Sequence, residues 1–179
     1  MSAIKKEHLP HYTYDDYKKW KGDWEIIHGI PYSKALTHTI RHQTISGSIA
    51  RYLYGAISEC ESCQALLPVD WKIDDSTVVQ PDNLIICHTP TNEAYIKKAP
   101  KVIFEILSKS TAVVDKNLKY ELYEKEGVSY YIIVDPNESI AKVYELKDGR
   151  YIKLCDAYED SVDFDLNECI FTFDFAKIW

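Results

Sequence analysis

Three short apolar runs, Asn83-Leu-Ile-Ile-Cys87, Lys101-Val-Ile-Phe-Glu-Ile-Leu107 and Tyr130-Tyr-Ile-Ile-Val134, constrain this chain more than any other feature. They are too short for helices, rich in β-branched residues and apolar on both faces. That pattern belongs to strands covered on both faces. A strand that alternates only on one face could lie at a surface, but these three cannot. They predict a sheet with layers packed on both sides.

Other segments supply the layers. Thr13-Tyr-Asp-Asp16 has the form of a helix N-cap with acids in the first turn, opening a short helix to about Trp20. Trp24-Glu-Ile-Ile-His28, Gly29 and Ile30-Pro-Tyr-Ser33 form two strands around a tight turn. From Thr39 to Ser58, Ile45, Ile49, Leu53 and Ile57 recur every four residues, with Ala50 and Tyr54 widening the stripe of a long helix. Val69, Trp71 and Ile73 alternate as in a half-buried strand. Ser110 and Thr111 cap a further helix that Gly127 ends near Glu126. Asp148-Gly149 between Ile140–Leu146 and Arg150–Leu154 is a hairpin signal. The order implies an α/β (α+β) fold with a mixed central sheet flanked by helices. One domain is expected over residues 1–179, with a core of about 12–151 and C-terminal strands over 152–179.

With 46% hydrophobic residues the chain can fill such a core, and it has no run of about 18 apolar residues that could span a membrane. The N-terminal segment lacks the apolar stretch of a secretory signal, so a cytoplasmic protein is expected. Five cysteines stand at 60, 63, 87, 155 and 169. Their odd number and a reducing compartment argue against disulfides. Cys60 and Cys63 have the spacing of a zinc knuckle, but no second such pair accompanies them, so packing roles are expected.

The formal charge of −7 opposes a nucleic-acid partner only in sum. Residues 1–51 carry eight Lys/Arg against five acids, and residues 97–125 seven Lys against four. The excess acid lies in residues 135–179, with eleven acids against five bases.

Glu105 interrupts a buried strand on the face of Ile103 and Leu107. A carboxylate there costs several kcal/mol unless paired or bound to a metal. Asp82, stiffened by Pro81, enters the strand 83–87. Two carboxylates on neighbouring strands make the hard oxygen site that Mg²⁺ prefers. Lys119 shares a helical face with Asp115 and Tyr123 and can either reach those carboxylates or form a surface ion pair.

Read in order, Trp24-Glu-Ile-Ile-His-Gly29, His42, Gln80-Pro-Asp82, Phe104-Glu-Ile-Leu-Ser-Lys-Ser-Thr111, Asp115, Lys119, Tyr123 and Gly127-Val-Ser-Tyr-Tyr-Ile-Ile-Val-Asp-Pro136 resemble the Uma-two family of the PD-(D/E)xK nuclease superfamily. The resemblance runs from about Tyr12 to Tyr151. It implies a restriction-endonuclease-like fold and hydrolysis of DNA phosphodiester bonds with Mg²⁺ or Mn²⁺. It places Asp82 and Glu105 as the acidic pair that holds the metal. Leu107 stands where the superfamily usually has its lysine. The family's lysine on the following helix points to Lys119, with Lys109 as fallback. Glu25 matches a supplementary acid and His42 a helix-start position, while Asp115 and Tyr123 take supporting places. A homodimer is the expected partner arrangement, since cutting both strands favours two sites. Two rivals stand beside this reading: an inactive binding module of the same fold, and an oligomerising domain in which Glu105 and Lys119 form an internal ion pair.

Overall fold

The structure is a computed structural model, and it describes residues 10–34, 39–88, 94–108, 112–167 and 169–179. The apolar runs form the middle of a six-stranded sheet, as their composition requires. Its members are β3 (Gln64–Leu66), β6 (Asn83–Ile86), β8 (Val102–Ile106), β9 (Tyr130–Asp135), β10 (Ile140–Lys147) and β11 (Arg150–Ala157). The spatial order is β11-β10-β9-β8-β6-β3, with β8 and β9 parallel and the other pairs antiparallel.

Strand alternation divides the side chains of this sheet between two cores. Val102, Phe104, Ile106, Ile132 and Val134 face α2 (Ile40–Ala56) and a C-terminal hairpin, β12 (Ser161–Asp165) with β13 (Ile170–Asp174). Leu84, Ile86, Ile103, Leu107, Tyr131 and Ile133 face α3 (Lys119–Glu126) and a second sheet. That sheet has the order β2-β1-β5-β4-β7, built from β1 (Trp24–Ile27), β2 (Ile30–Ser33), β4 (Asp70–Asp74), β5 (Thr77–Val79) and β7 (Tyr95–Ile96). Each fully buried Ile, Leu or Phe contributes about 1.5–3 kcal/mol. The double covering is therefore the main source of stability.

Local signals position these layers. α1 (Tyr14–Tyr17) carries the capping box of Thr13 and Asp16, with Thr13 N–H donating to Asp16 Oδ2 at 3.0 Å. The β1–β2 and β10–β11 turns use His28-Gly29 and Asp148-Gly149, all four at positive φ, as a tight hairpin demands. Gly127 ends α3 in the left-handed conformation, with Val128 N–H donating to Tyr123 O at 3.0 Å. Thr39 caps α2 by accepting from His42 N–H.

The expected mixed central sheet with flanking helices is present, and a five-stranded sheet and a two-stranded hairpin share the covering with the helices. Smaller expectations need correction. Tyr54 faces solvent, and Tyr52 instead packs on Phe173 with ring centroids 4.9 Å apart. The helix ending at Gly127 is not α-helical throughout, since Val114–Leu118 forms a π turn before α3. Ser110 and Thr111 lie outside the described residues.

The cysteines overturn the expectation of unpaired thiols. Disulfides join Cys60 to Cys169 and Cys63 to Cys87. The reason is topological. β3 and β6 pair with Gln64 opposite Ile86, and one rung further that register brings Cys63 opposite Cys87, with their Cα atoms 4.0 Å apart. Cysteines 24 and 109 residues apart in the chain become neighbours only through the fold. Cys155 is unpaired.

Candidate active site

The β6–β8 register also builds the acidic pair. Asn83 stands opposite Phe104 and Leu84 opposite Ile103, so the next rung sets Asp82 opposite Glu105. Directly opposed residues of an antiparallel pair project to the same face. Pro81 holds Asp82 outside the strand, where its Oδ2 accepts from Ile106 N–H at 2.8 Å. Both carboxylates are buried.

A ring of groups closes around them. Lys119 Nζ lies 2.8 Å from Glu105 Oε1, 2.8 Å from Glu25 Oε1 and 3.3 Å from Asp115 Oδ1. Tyr123 OH donates to Glu105 Oε1 at 2.8 Å. Tyr131 OH donates to Asp115 O at 2.9 Å, fixing the π turn that carries this acid. Glu25 Oε1 also accepts from Gln80 N–H at 2.7 Å, tying β1 to the Gln80-Pro81-Asp82 segment. His42 Nε2 lies 3.3 Å from Asp82 Oδ2 and Lys34 Nζ 3.6 Å from Asp82 Oδ1. Lys34 Nζ donates in addition to Gln80 O at 2.5 Å.

Every buried Asp, Glu and Lys among the described residues belongs to this one cluster. Four carboxylates, those of Glu25, Asp82, Glu105 and Asp115, face two ammonium groups, those of Lys34 and Lys119. Among the described residues of this cluster the carboxyl groups outnumber the ammonium groups.

The titration of the acids reflects this crowding and burial. Burial raises Glu105, and the neighbouring Asp115 and Asp82 charges add to it; Lys119 opposes them, and the carboxyl is pushed up to about 8. Asp82 moves the other way despite its burial. Its hydrogen bond from His42, the Lys34 charge and the Ile106 N–H hold it well below the usual carboxylate range. Burial alone would lower Lys34, but Glu25 and Asp82 outweigh it and raise its pKa. Lys119 is likewise raised, because Glu105 and Glu25 overcome the cost of burying its charge. Both lysines are ammonium groups at neutral pH.

Asp82, Glu105 and Lys119 thus come together, and Glu25, Asp115 and Tyr123 join them directly, while His42 reaches the cluster through Asp82. Lys109 lies outside the described residues. Lys34 joins the cluster without any sign in the sequence. Lys34 follows an ordinary strand, and no local pattern marks it. Its place depends on the β1–β2 hairpin folding over Gln80.

A divalent cation fits this set of donors. The carboxyl groups of Asp82 and Glu105 offer hard oxygens, and a 2+ ion would favour their ionised form. Mg²⁺ commonly takes only one or two protein carboxylates and keeps several waters. Among the described residues no group of three or more His, Cys, Asp or Glu is arranged to ligate a metal, so protein ligation would rest on the Asp82–Glu105 pair.

The mixed central sheet with its covering layers is a fold of the restriction-endonuclease-like class. The chain belongs to the Uma2 family, whose model is described as "Putative restriction endonuclease" and matches residues 13–166. Among solved structures it is similar to a protein of Anabaena variabilis described as "a putative nuclease". The two share 19% identity and a TM-score of 0.73, over 93% of this chain and 96% of the other, a likeness of fold. A search of the curated proteins finds no match.

Proposed function

We propose that the protein is a metal-dependent endonuclease that hydrolyses DNA phosphodiester bonds. The observation that carries this reading is a buried acidic pair, Asp82 and Glu105, on opposed strand positions with Lys119 against it. A structural ion-pair cluster gains nothing from burying more acids than bases, whereas a cation site needs such acids.

In this reading Asp82 and Glu105 would hold Mg²⁺ or Mn²⁺, which when bound would lower the pKa of a water and neutralise charge at the scissile phosphate. Lys119 orients the attacking water and stabilises the charge developing on the phosphate. Tyr123 and Asp115 fix the position of the Lys119–Glu105 pair, and Glu25 completes the acidic wall. His42 and Lys34 keep Asp82 ionised. No helix of the described residues is long and apolar enough to cross a membrane, and a cytoplasmic location is part of this reading. A symmetric homodimer would supply the two sites that a double-strand cut needs.

The test is cleavage of plasmid DNA with Mn²⁺ together with calorimetric Mn²⁺ binding. Wild type is expected to bind and cleave, and Asp82→Asn and Glu105→Gln to do neither while remaining folded. One observation favours the structural rival: Lys119 is fully buried among its acids. Retention of native stability with no Mn²⁺ affinity in the wild type would establish that rival instead.

A further inference from the structure

A pocket of about 330 Å³ opens beside the β1–β2 hairpin, walled by Tyr12, Trp20, Trp24 and Pro31 with Lys21 at its rim. Register fixes the face on which it lies. Trp24 stands opposite Ser33 and Ile26 opposite Pro31, whereas Glu25 stands opposite Tyr32. Opposed residues share a face and successive ones alternate, so the pocket lies across the hairpin from the Glu25–Lys119 contact. Its walls are held in place. Trp20 meets Tyr12 and Trp24 edge to face, with ring centroids 5.1 Å and 5.7 Å apart, and Tyr17 backs it at 6.0 Å. Trp24 Nε1 donates to Lys21 O at 3.0 Å, and Tyr12 N–H to Gly29 O at 2.9 Å. Tyr12, Trp20 and Trp24 are each only half-buried.

We propose that this pocket stacks an unpaired base of single-stranded DNA, with Lys19 and Lys21 on the adjoining phosphates. Its volume is at the small end of the range of about 300–1,000 Å³ that small-molecule sites span, a size for one planar ring system. Aromatic walls alone would also suit a cation, which their faces attract. The Lys21 ammonium at the rim opposes that guest. A flat ring joined to an anion satisfies both the walls and the lysine. Lys18 is taken by Asp15 at 2.7 Å, and Asp16 by the Thr13 cap at 3.0 Å. Lys19 and Lys21 are exposed and form no ion pair among the described residues, and the acid their field must outweigh is Asp23 in the same loop. Cation, ring and cation thus follow one another along Lys19-Trp20-Lys21, the composition of a surface that tracks a single strand. Because the rings already order one another, binding costs little side-chain freedom. Paired bases present no free face, so the site selects unpaired DNA. The choice of DNA rests on the nuclease reading, which the pocket deepens by naming an unpaired strand as part of the substrate. The pocket shares no side chain with the Asp82–Glu105 pair.

The experiment uses the full chain in EDTA, so that neither metal nor turnover enters. It follows the anisotropy of a fluorescein-labelled oligothymidylate, with tryptophan emission as a second signal. The oligonucleotide is expected to bind, to quench that emission, and to bind about tenfold more tightly than an abasic strand or a duplex of equal length. Trp20→Ala should weaken binding about tenfold, and Trp20→Phe should keep most of it. Circular dichroism and urea unfolding check that both variants are folded. Lys21→Gln should lower the slope of log affinity against log salt by about 0.7, the value for one phosphate of a single strand. Equal affinity for the abasic strand would overturn the proposal, and so would unchanged binding by Trp20→Ala. Thymidine monophosphate binding as tightly as the oligonucleotide would assign the pocket to a free nucleotide. A proline-rich peptide binding where the oligonucleotide does not would assign it to a protein partner. Either result overturns the proposal too. The abasic comparison needs only the wild type, so it decides even where Trp20→Ala does not fold. A wild type that binds oligothymidylate through Trp20 but cleaves no DNA with Mn²⁺ would leave this inference standing and remove only the nuclease reading.

Discussion

Lys119 Nζ lies 2.8 Å from Glu105 Oε1, and neither residue is accessible to bulk solvent. This contact joins the helix after β8 to the strand itself, and it sets what each member of the site can do. The ammonium also serves Glu25 and Asp115, so its removal leaves three carboxylates without their shared counter-ion.

Lys119→Met is accordingly expected to destabilise the protein by about 3–5 kcal/mol, the cost of stranding buried charge. Urea unfolding would show a lower midpoint with an unchanged slope. Its DNA cleavage should fall by about 10²–10³-fold even where the fold is retained, the usual effect of losing one transition-state donor.

Metal binding should release protons. Glu105, with its carboxyl at about 8, is mainly protonated at pH 7 and must ionise to hold Mn²⁺. Close to one proton per metal is expected, read from calorimetry in buffers of different ionisation enthalpy. In Glu105→Gln both the affinity and the release should disappear.

Stability without metal should depend on pH in two senses. Glu105 keeps its proton in the fold up to about 8, whereas the unfolded side chain ionises near 4.3. Between those values the native state binds more protons, so the contribution of this group is present at low pH and lost as pH rises. Asp82 is held well below its ordinary value, so its contribution is present above about pH 4 and lost in acid. Denaturation followed from pH 3 to pH 9 should show an optimum in the weakly acidic range, and Glu105→Gln should flatten its alkaline side.

Tyr123→Phe removes the hydroxyl that donates to Glu105 at 2.8 Å but keeps the ring that stacks on Trp71. A loss of about 1–3 kcal/mol is expected, since this is a hydrogen bond to a buried acid. Thermal or urea unfolding reads it directly.

Gly29→Ala should cost about 1 kcal/mol or more. Its φ is +78°, and a Cβ there would meet the His11 ring at 2.4 Å. Because the β1–β2 turn carries Glu25 toward Gln80, Mn²⁺ affinity should weaken as well.

The amino-acid order determined those features that arise from near neighbours. Apolar runs without alternation specified covered strands, and Thr13, Thr39, Gly127 and Asp148-Gly149 marked where elements begin or end. Strand parity put Glu105 on the face of Ile103 and Leu107, where the structure finds it. The family resemblance named Asp82 and Lys119 and the class of fold. Tertiary structure alone decided what depends on register between segments far apart. The β6–β8 pairing opposes Asp82 to Glu105, and the β3–β6 pairing opposes Cys63 to Cys87. Lys34 enters the cluster because a hairpin closes over Gln80. Such contacts carry no local periodicity: a hydrogen-bond register is a choice among many possible pairings, settled only when the whole apolar face is buried at once.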